Sequence, residues 1–294
     1  MRFSLVLATV GRTDELKRFL ASLDTQRHPD FELIVADQNP DSRLTPILEP
    51  YNNRFTILHL HSPVSLSKAR NVGLQHITGD VVAFPDDDCR YPSGLFERIM
   101  QAFSQHPSAA GVTGCTVNAR NEMSKDARFD KTEGFVSLPN VWRRANGNSI
   151  FFRRDIVAAI GDFDETLGLG PGVQWEGGED IDYTVRAIKA GFEIYYSPDI
   201  CVLHQSAAAG NWSKMGRRAF RYGVGIGRVW RKHNFPLWLV GYHLLRPLGG
   251  SLLSLMIGHL PKARYHWNAF RGRLRGWRCG LEAGSRNGWH EPGR

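Results

Sequence analysis

Along the first 120 residues the spacing of apolar and polar positions switches back and forth between two periods. Phe3–Thr9 is a short apolar run that stops before Gly11, and Asp14–Leu23 then places Leu16, Phe19, Leu20 and Leu23 at helical spacing. Phe31–Ala36 reads as a second strand, followed by the turn formers Asn39-Pro40-Asp41-Ser42, and Phe55–Leu60 as a third. Ser67–Ile77 is helical in pattern, Val81–Phe84 is a fourth strand closed by Pro85, and Ser93–Phe103 carries Leu95, Ile99 and Phe103 at a helical repeat. Short apolar strands alternating with longer helices predict βα crossovers and therefore an α/β fold with a parallel sheet. In such sheets ligands bind beyond the carboxyl ends of the strands, so the residues just after each strand are where chemistry is expected.

Further along, the polar stretch Asn118–Arg144 has little periodicity and predicts a long loop. Ser149–Phe152, Ile194–Tyr196 and Ile200–Leu203 are strand patterns, and Gly178–Ala190 is a helix with Ile181, Val185 and Ile188 on one face. Phe235–Leu260 is rich in Leu, Trp, Tyr and Phe but interrupted by Arg246-Pro247 and Gly249-Gly250. It predicts two helical halves of about a dozen residues, roughly 18 Å each, too short to span a bilayer core.

Charge divides the chain more sharply than hydropathy does. The net charge of +8 conceals a balance of −6 over residues 1–211 and of +14 over residues 212–294, where Glu282 and Glu291 are the only acids. Two domains are therefore expected: an acidic α/β domain over 1–211 and a basic, amphipathic helical region over 212–294. With 42% apolar and 22% charged residues the chain is neither disordered nor fibrous. The four cysteines, Cys89, Cys115, Cys201 and Cys279, show no CxxC spacing, which argues against structural zinc and fits a reducing, cytoplasmic compartment. Nothing at the start of the chain reads as a secretory signal.

At the strand ends several common chemistries have no foothold. No G-x-G-x-x-G, phosphate-cradling G-x-x-x-x-G-K-[ST], H-E-x-x-H or G-x-S-x-G is present. What is present is Asp86-Asp87-Asp88, directly after the fourth strand. Adjacent carboxylates raise one another's pKa, and a divalent cation relieves that strain. A solvated acidic turn is the bland reading, but the position at the carboxyl end of an apolar strand favours a metal site. The second acidic constellation is Trp175-Glu176-Gly177-Gly178-Glu179-Asp180-Ile181-Asp182. Asp182 and Arg186 make an i,i+4 pair, whereas Asp180 has no such partner and can serve as a general base.

Five segments in order resemble one family, the inverting family 2 glycosyltransferases of the GT-A fold, and the resemblance covers about residues 3–205. They are the opening strand Ser4–Thr9, the second strand Leu33–Asp37, and Leu66-Ser67-Lys68-Ala69-Arg70-Asn71-Val72-Gly73-Leu74, which is similar to S-x-A-R-N-x-G-L. The other two are Gly79–Asp88, which resembles the strand bearing a D-x-D metal motif, and Gly178–Arg186, which resembles G-E-D-x-D-x-x-x-R. The resemblance implies a Rossmann-like, mainly parallel sheet flanked by helices. It also implies Asp180 as catalytic base with Glu179 next in line, and a nucleotide site drawn from Thr9, Arg12, Asp37, Arg70 and Asp87. A Mg or Mn ion would sit on Asp86, Asp88 and His204, although His204 has an ordinary hydrogen-bonded role open to it as well. Acceptor contacts are expected from Trp175, Asn148 and Gly178. One departure is Gln38, where the family usually carries an acid or Asn.

The implied reaction moves a sugar from a nucleotide-sugar donor to a glycan or lipid-linked saccharide in envelope or exopolysaccharide synthesis. A metal-dependent sugar nucleotidyltransferase and an inactive sugar-nucleotide-binding scaffold are the alternatives. For the basic region, attachment to an anionic membrane on the inner face of the plasma membrane stands level with a packed helical subdomain. A nucleic-acid arm is disfavoured because it leaves the apolar centre unexplained.

Overall fold

The computed structural model describes residues 1–118, 122–123, 129–204 and 212–279; the middle of the expected 118–144 loop, the expected boundary near 211, and both Glu282 and Glu291 lie outside these. The chain separates into two compact units, one of Met1–Val173 with Glu179–Ala208, the other of Gln174–Gly178 with the chain from Ala209 onward. Compared with a cut at 211, the short segment Gln174–Gly178 changes sides.

The first unit begins with β1 (Phe3–Thr9), α1 (Asp14–Asp24), β2 (Phe31–Asp37), α2 (Thr45–Leu48), β3 (Thr56–His61), α3 (Leu66–Leu74) and β4 (Val81–Ala83). It continues with β5 (Cys89–Arg90), α4 (Leu95–Gln105), β6 (Ala109–Val117), β7 (Gly134–Phe135), α5 (Val141–Arg144), β8 (Ile150–Arg153) and α6 (Arg154–Ile160). Last come β9 (Leu167–Gly168), α7 (Glu179–Lys189) and β11 (Glu193–His204), with β10 (Trp175–Glu176) between β9 and α7 belonging to the second unit. Among the described residues one nine-stranded sheet runs β3-β2-β1-β4-β8-β6-β11-β5, with β7 on β11. The first four of these strands are parallel, as the alternating pattern predicts.

Both faces of β1, β2 and β4 are covered, which is why these strands are mostly apolar, while the edge strand β3 is partly exposed and carries Thr56, His59 and His61. Phe3, Leu5 and Leu7 of β1 join Leu16 and Phe19 of α1 and Ile99 of α4 in the main core. On the opposite face α3 lies so close to β1 that a Cβ on Gly73 would collide with Val6. Gly73 is thus where the helix that bears Arg70 meets the sheet.

The remaining strands depart from a simple parallel sheet. β8 runs antiparallel between β4 and β6, and β5 and β7 pair antiparallel with β11. β6 is buried along its whole length, and its Ala, Gly and Thr content carries no strong period, so nothing in its sequence announced it. The patterns at 194–196 and 200–203 are one strand, β11, whose register against β6 slips between Tyr196 and Cys201, where Pro198 sits. Proline cannot donate to a ladder, so it falls at the irregularity.

The second unit contains three helices, α8 (Trp212–Lys232), α9 (Leu237–Met256) and α10 (Leu260–Arg278). α8 and α10 meet backbone to backbone: a Cβ on Gly227, Gly272 or Gly276 would collide with the main chain of the facing helix. The expected break of 235–260 into two halves does not occur, because α9 continues through Pro247. Proline removes the bond that its N–H would make to the carbonyl four residues earlier. That carbonyl, on His243, instead accepts a hydrogen bond from Arg273 Nη1 of α10 at 2.8 Å. A tertiary contact replaces what the local sequence withholds, and α9 becomes one rod of about 30 Å.

Candidate active site

The acidic triplet lies where β4 gives out. Asp86 makes an isolated bridge to Ala8, which places the triplet beside the carboxyl end of β1. Thr9 Oγ1 donates to Asp87 Oδ2 at 2.6 Å. Arg12 Nη1 reaches both Asp87 Oδ1 and Asp88 Oδ2 at 2.6 Å. Just past the triplet, Cys89 pairs in register with His204 at the end of β11, and this ladder brings His204 Nε2 to 3.1 Å from Asp88 Oδ1. Asp86, Asp88 and His204 consequently offer two oxygens and one nitrogen, all within 4.8 Å of one another. Hard oxygen ligands with one imidazole suit a small divalent cation such as Mg²⁺ or Mn²⁺.

The electrostatics follow from this crowding. The hydrogen bond to Asp88 raises the pKa of His204 above the usual imidazole value, against the opposing effect of burial. Partial burial works against ionised Asp88, but the bond to His204 and then the charge of Arg12 outweigh it and hold its carboxyl low. For Asp87 burial wins over Thr9 and Arg12, and its carboxyl is raised.

Arg70 is the most informative residue of the site. A helix surface is the usual place for such a side chain, yet Arg70 is only 2% exposed and lies under the rings of Phe84 and Phe163. Its ion pairs are long, 3.5 Å to Asp86 and 3.7 Å to Glu179, and its Nε and Nη1 make no hydrogen bond. A buried guanidinium with idle donors is costly unless an anion joins it. The rest of the same segment explains how it is held. Ser67 Oγ donates to the Leu167 carbonyl at 2.6 Å, and Asn71 exchanges bonds with the backbone of Phe163 in both directions. Gln38, the departure from the family pattern, accepts from the Ser65 N–H at 2.7 Å and so anchors the start of α3.

Asp180 lies in the first turn of α7 and shares a small crevice with Arg70, Phe84, Gly147, Phe163 and Tyr183. The Gly147 N–H donates to Asp180 Oδ2 at 2.8 Å, and a Cβ on Gly147 would sit 3.1 Å from that side chain. Beside it Glu179 is buried, and burial together with the neighbouring Asp180 charge pushes its carboxyl up to about 7 despite Arg70. Asp182 forms its ion pair with Arg186 at 3.1 Å. Asp37 is fully buried at the end of β2, with Oδ1 accepting from the backbone and side chain of Asn39 and Oδ2 lying 2.8 Å from His59 Nε2.

The three residues expected at the acceptor fall in different units. Asn148 is buried and lies 3.4 Å from Asp86 Oδ2, on the side of the acidic triplet. Trp175 and Gly178 belong to the second unit, where Arg228 lies over the Trp175 ring and Gly178 faces Val229 and Gly225. Residue-level reading singled out neither Ser67 nor Asn71 as supports of Arg70, because a clamp on a loop nearly a hundred residues away has no local signature. Gly147 lies in the segment that the resemblance assigns to the acceptor, but nothing in the sequence showed that its N–H would bind Asp180.

These features find their counterpart in a sequence family. The profile of "Glycosyl transferase family 2" matches residues 4–161, more than half of the chain and including β1 from Ser4 onward, Arg70 and the whole acidic triplet. The chain belongs to glycosyl transferase family 2. Glycosyltransferase AglE of Haloferax volcanii is 22% identical to this family 2 chain over 272 residues, covering 90% of it and 83% of the relative. The succinoglycan biosynthesis protein ExoM of Rhizobium meliloti is 29% identical, over 73% of this chain and 70% of its own. Among solved structures, the mannosyltransferase PcManGT from Pyrobaculum calidifontis, in complex with GDP-Man and Mn²⁺, superposes with a TM-score of 0.68 at 15% identity, covering 94% and 86% of the two chains. S. aureus TarS 1–349 in complex with UDP-GlcNAc gives 0.58 at 16% identity, covering 95% and 92%. At such identities the likeness establishes the fold: this family 2 transferase has the GT-A architecture, with a helical C-terminal extension.

Proposed function

We propose that this chain transfers a sugar, with inversion at the anomeric carbon, from a nucleoside-diphosphate sugar to an acceptor hydroxyl in envelope or exopolysaccharide synthesis. The single observation that carries this reading is the buried Arg70 with idle donors, set between the triplet carboxylate Asp86 and the crevice that holds Asp180. A diphosphate needs a cationic seat and an attacking hydroxyl needs a base, and these residues supply both. The names of ExoM and AglE and the ligands of PcManGT and TarS agree with the reading.

Asp180 would take the acceptor's proton, its unused acceptor capacity directed by the Gly147 N–H on Oδ2. Arg70 would hold a diphosphate oxygen in place of its long contacts. Thr9, Arg12 and Asp87 would line the nucleotide, with Arg12 free to trade its carboxylate partners for phosphate. Asp37, whose oxygens are both engaged, would act on the base through Asn39 and His59. Asp86, Asp88 and His204 fit a divalent cation, and a cation held there would neutralise the leaving diphosphate. The acceptor in this reading is lipid-linked and met at the cytoplasmic face of the plasma membrane.

A panel of UDP-, GDP- and dTDP-sugars, assayed with and without Mn²⁺, tests the proposal. Metal-stimulated release of nucleoside diphosphate from one donor class is the expected result. Pyrophosphate release would instead mark a nucleotidyltransferase, and binding without turnover a scaffold; either overturns the reading.

A further inference from the structure

The second unit hides its polar backbone contacts and turns leucine outward. The inner face of α9 is formed by Leu239, Val240, His243, Pro247, Ser251 and Ser254, all buried. Its other face ought to be polar, as on a surface helix of a globular domain. Instead Leu245, Leu252, Leu253 and Met256 are 65%, 56%, 61% and 84% exposed, and Ile257 continues the ridge into the turn before α10. A contiguous apolar ridge of this kind marks an interaction surface.

Charge decides what covers it. Arg246 is exposed on the same side of α9, and Lys262 and Arg264 are exposed on the first turns of α10, beside the ridge's tip. The described residues of this unit hold fourteen Lys and Arg against one acid, Glu176, and Glu176 is already paired with Arg221. A second copy would bring the same excess of positive charge to the contact and be repelled. Among the described residues no helix is long and apolar enough to cross a membrane, so the ridge is not part of a span. We infer that the outer face of α9 and its turn into α10 lie in the interface of an anionic lipid bilayer, leucines in the acyl boundary and Arg246, Lys262 and Arg264 among the headgroups. The inference goes beyond sugar transfer and does not depend on it.

Vesicle binding of the full chain, measured without nucleotide, tests it. Wild type should bind vesicles of equal parts phosphatidylglycerol and phosphatidylcholine at least ten-fold more tightly than phosphatidylcholine alone. Salt should weaken that binding without abolishing it. Arg246→Gln, Lys262→Gln and Arg264→Gln together should cost about a hundred-fold on the anionic vesicles, at roughly five-fold per cation, and leave the neutral ones unchanged. Leu252→Ser, Leu253→Ser and Met256→Ser together should remove the salt-resistant part. Should that variant fail to fold, quenching by brominated phosphatidylglycerol takes its place, and Trp238→Phe, at a residue 66% exposed near the start of α9, should remove the largest share of the quench in an otherwise native chain. Wild type ignoring anionic vesicles at low salt, or binding unmoved by both triple changes, overturns the inference. So does a dimer in sedimentation that the serine variant dissolves, since a second copy would then own the face.

Discussion

The two units use apolar and charged residues in opposite ways. In the first, leucine, valine and phenylalanine fill the space between sheet and helices, and charges are gathered beyond the carboxyl ends of the strands, where Arg12, Arg70 and His204 meet four carboxylates. In the second, glycine lets the backbones of α8 and α10 touch, little side-chain volume is needed inside, and leucine is left for the outer surface. Burying a charge costs several kcal/mol unless it is paired. The first unit accepts that cost where a ligand can complete the pairing, and the second keeps most of its cations in water. Sequence composition alone would not distinguish an apolar segment that makes a core from one that makes a surface.

The sharpest way to break this contrast is at the inward charges. Asp180→Asn keeps the shape and the bond from Gly147 but cannot take a proton. Turnover should fall by about 10²–10⁴-fold, with nucleotide affinity held within a few-fold; near-normal turnover in a donor-release assay would move the base to Glu179. On the other unit, Gly276→Val forces a side chain into the Val224 carbonyl. It should destabilise the helical unit by about 3 kcal/mol, read as a lowered denaturation midpoint, while the same change at exposed Gly249 should do far less.

A smaller effect concerns Glu179. Between its ordinary value of 4.5 and its raised value of about 7, the folded chain keeps a proton that the unfolded chain has released. Stability should therefore fall as pH rises through that window, and Glu179→Gln should flatten the slope and gain on the order of 2 kcal/mol at pH 8. Denaturant titrations at pH 5 and pH 8 measure both. The smallest effect is the repair of α9. Arg273→Leu should cost about 1 kcal/mol, and less when Pro247→Ala has restored the helix's own bond to the His243 carbonyl; a double-mutant cycle with no coupling would refute that account.

β1, α1, β2, β3, α3, β4 and α4 were legible because each carries its own pattern, whereas the short α2 and β5 were too brief to show one, and the place of the acidic triplet followed from its position after β4. Their parallel pairing also followed, since strands alternating with helices require crossovers, whereas the order β3-β2-β1-β4 came only from the structure. β6 was hidden because a strand buried on both faces and built from Ala, Gly and Thr has neither alternation nor bulk. The antiparallel entry of β8, the single long β11 and the passage of α9 through Pro247 are outcomes of long-range pairing, and no window of sequence contains both partners.

The candidate site divides in the same way. The sequence by itself determined which groups exist: three consecutive carboxylates at a strand end, a Glu-Asp pair opening a helix, an arginine within S-x-A-R-N, and a basic tail. Only the tertiary structure decided that Arg70 would be buried with idle donors, that Ser67 and Asn71 would clamp its helix, and that the pairing of β5 with β11 would deliver His204 to Asp88. Residue type sets what a group can donate, accept or repel. Burial and register set whether it meets a partner, and these depend on strands that are distant in the chain and adjacent in the sheet.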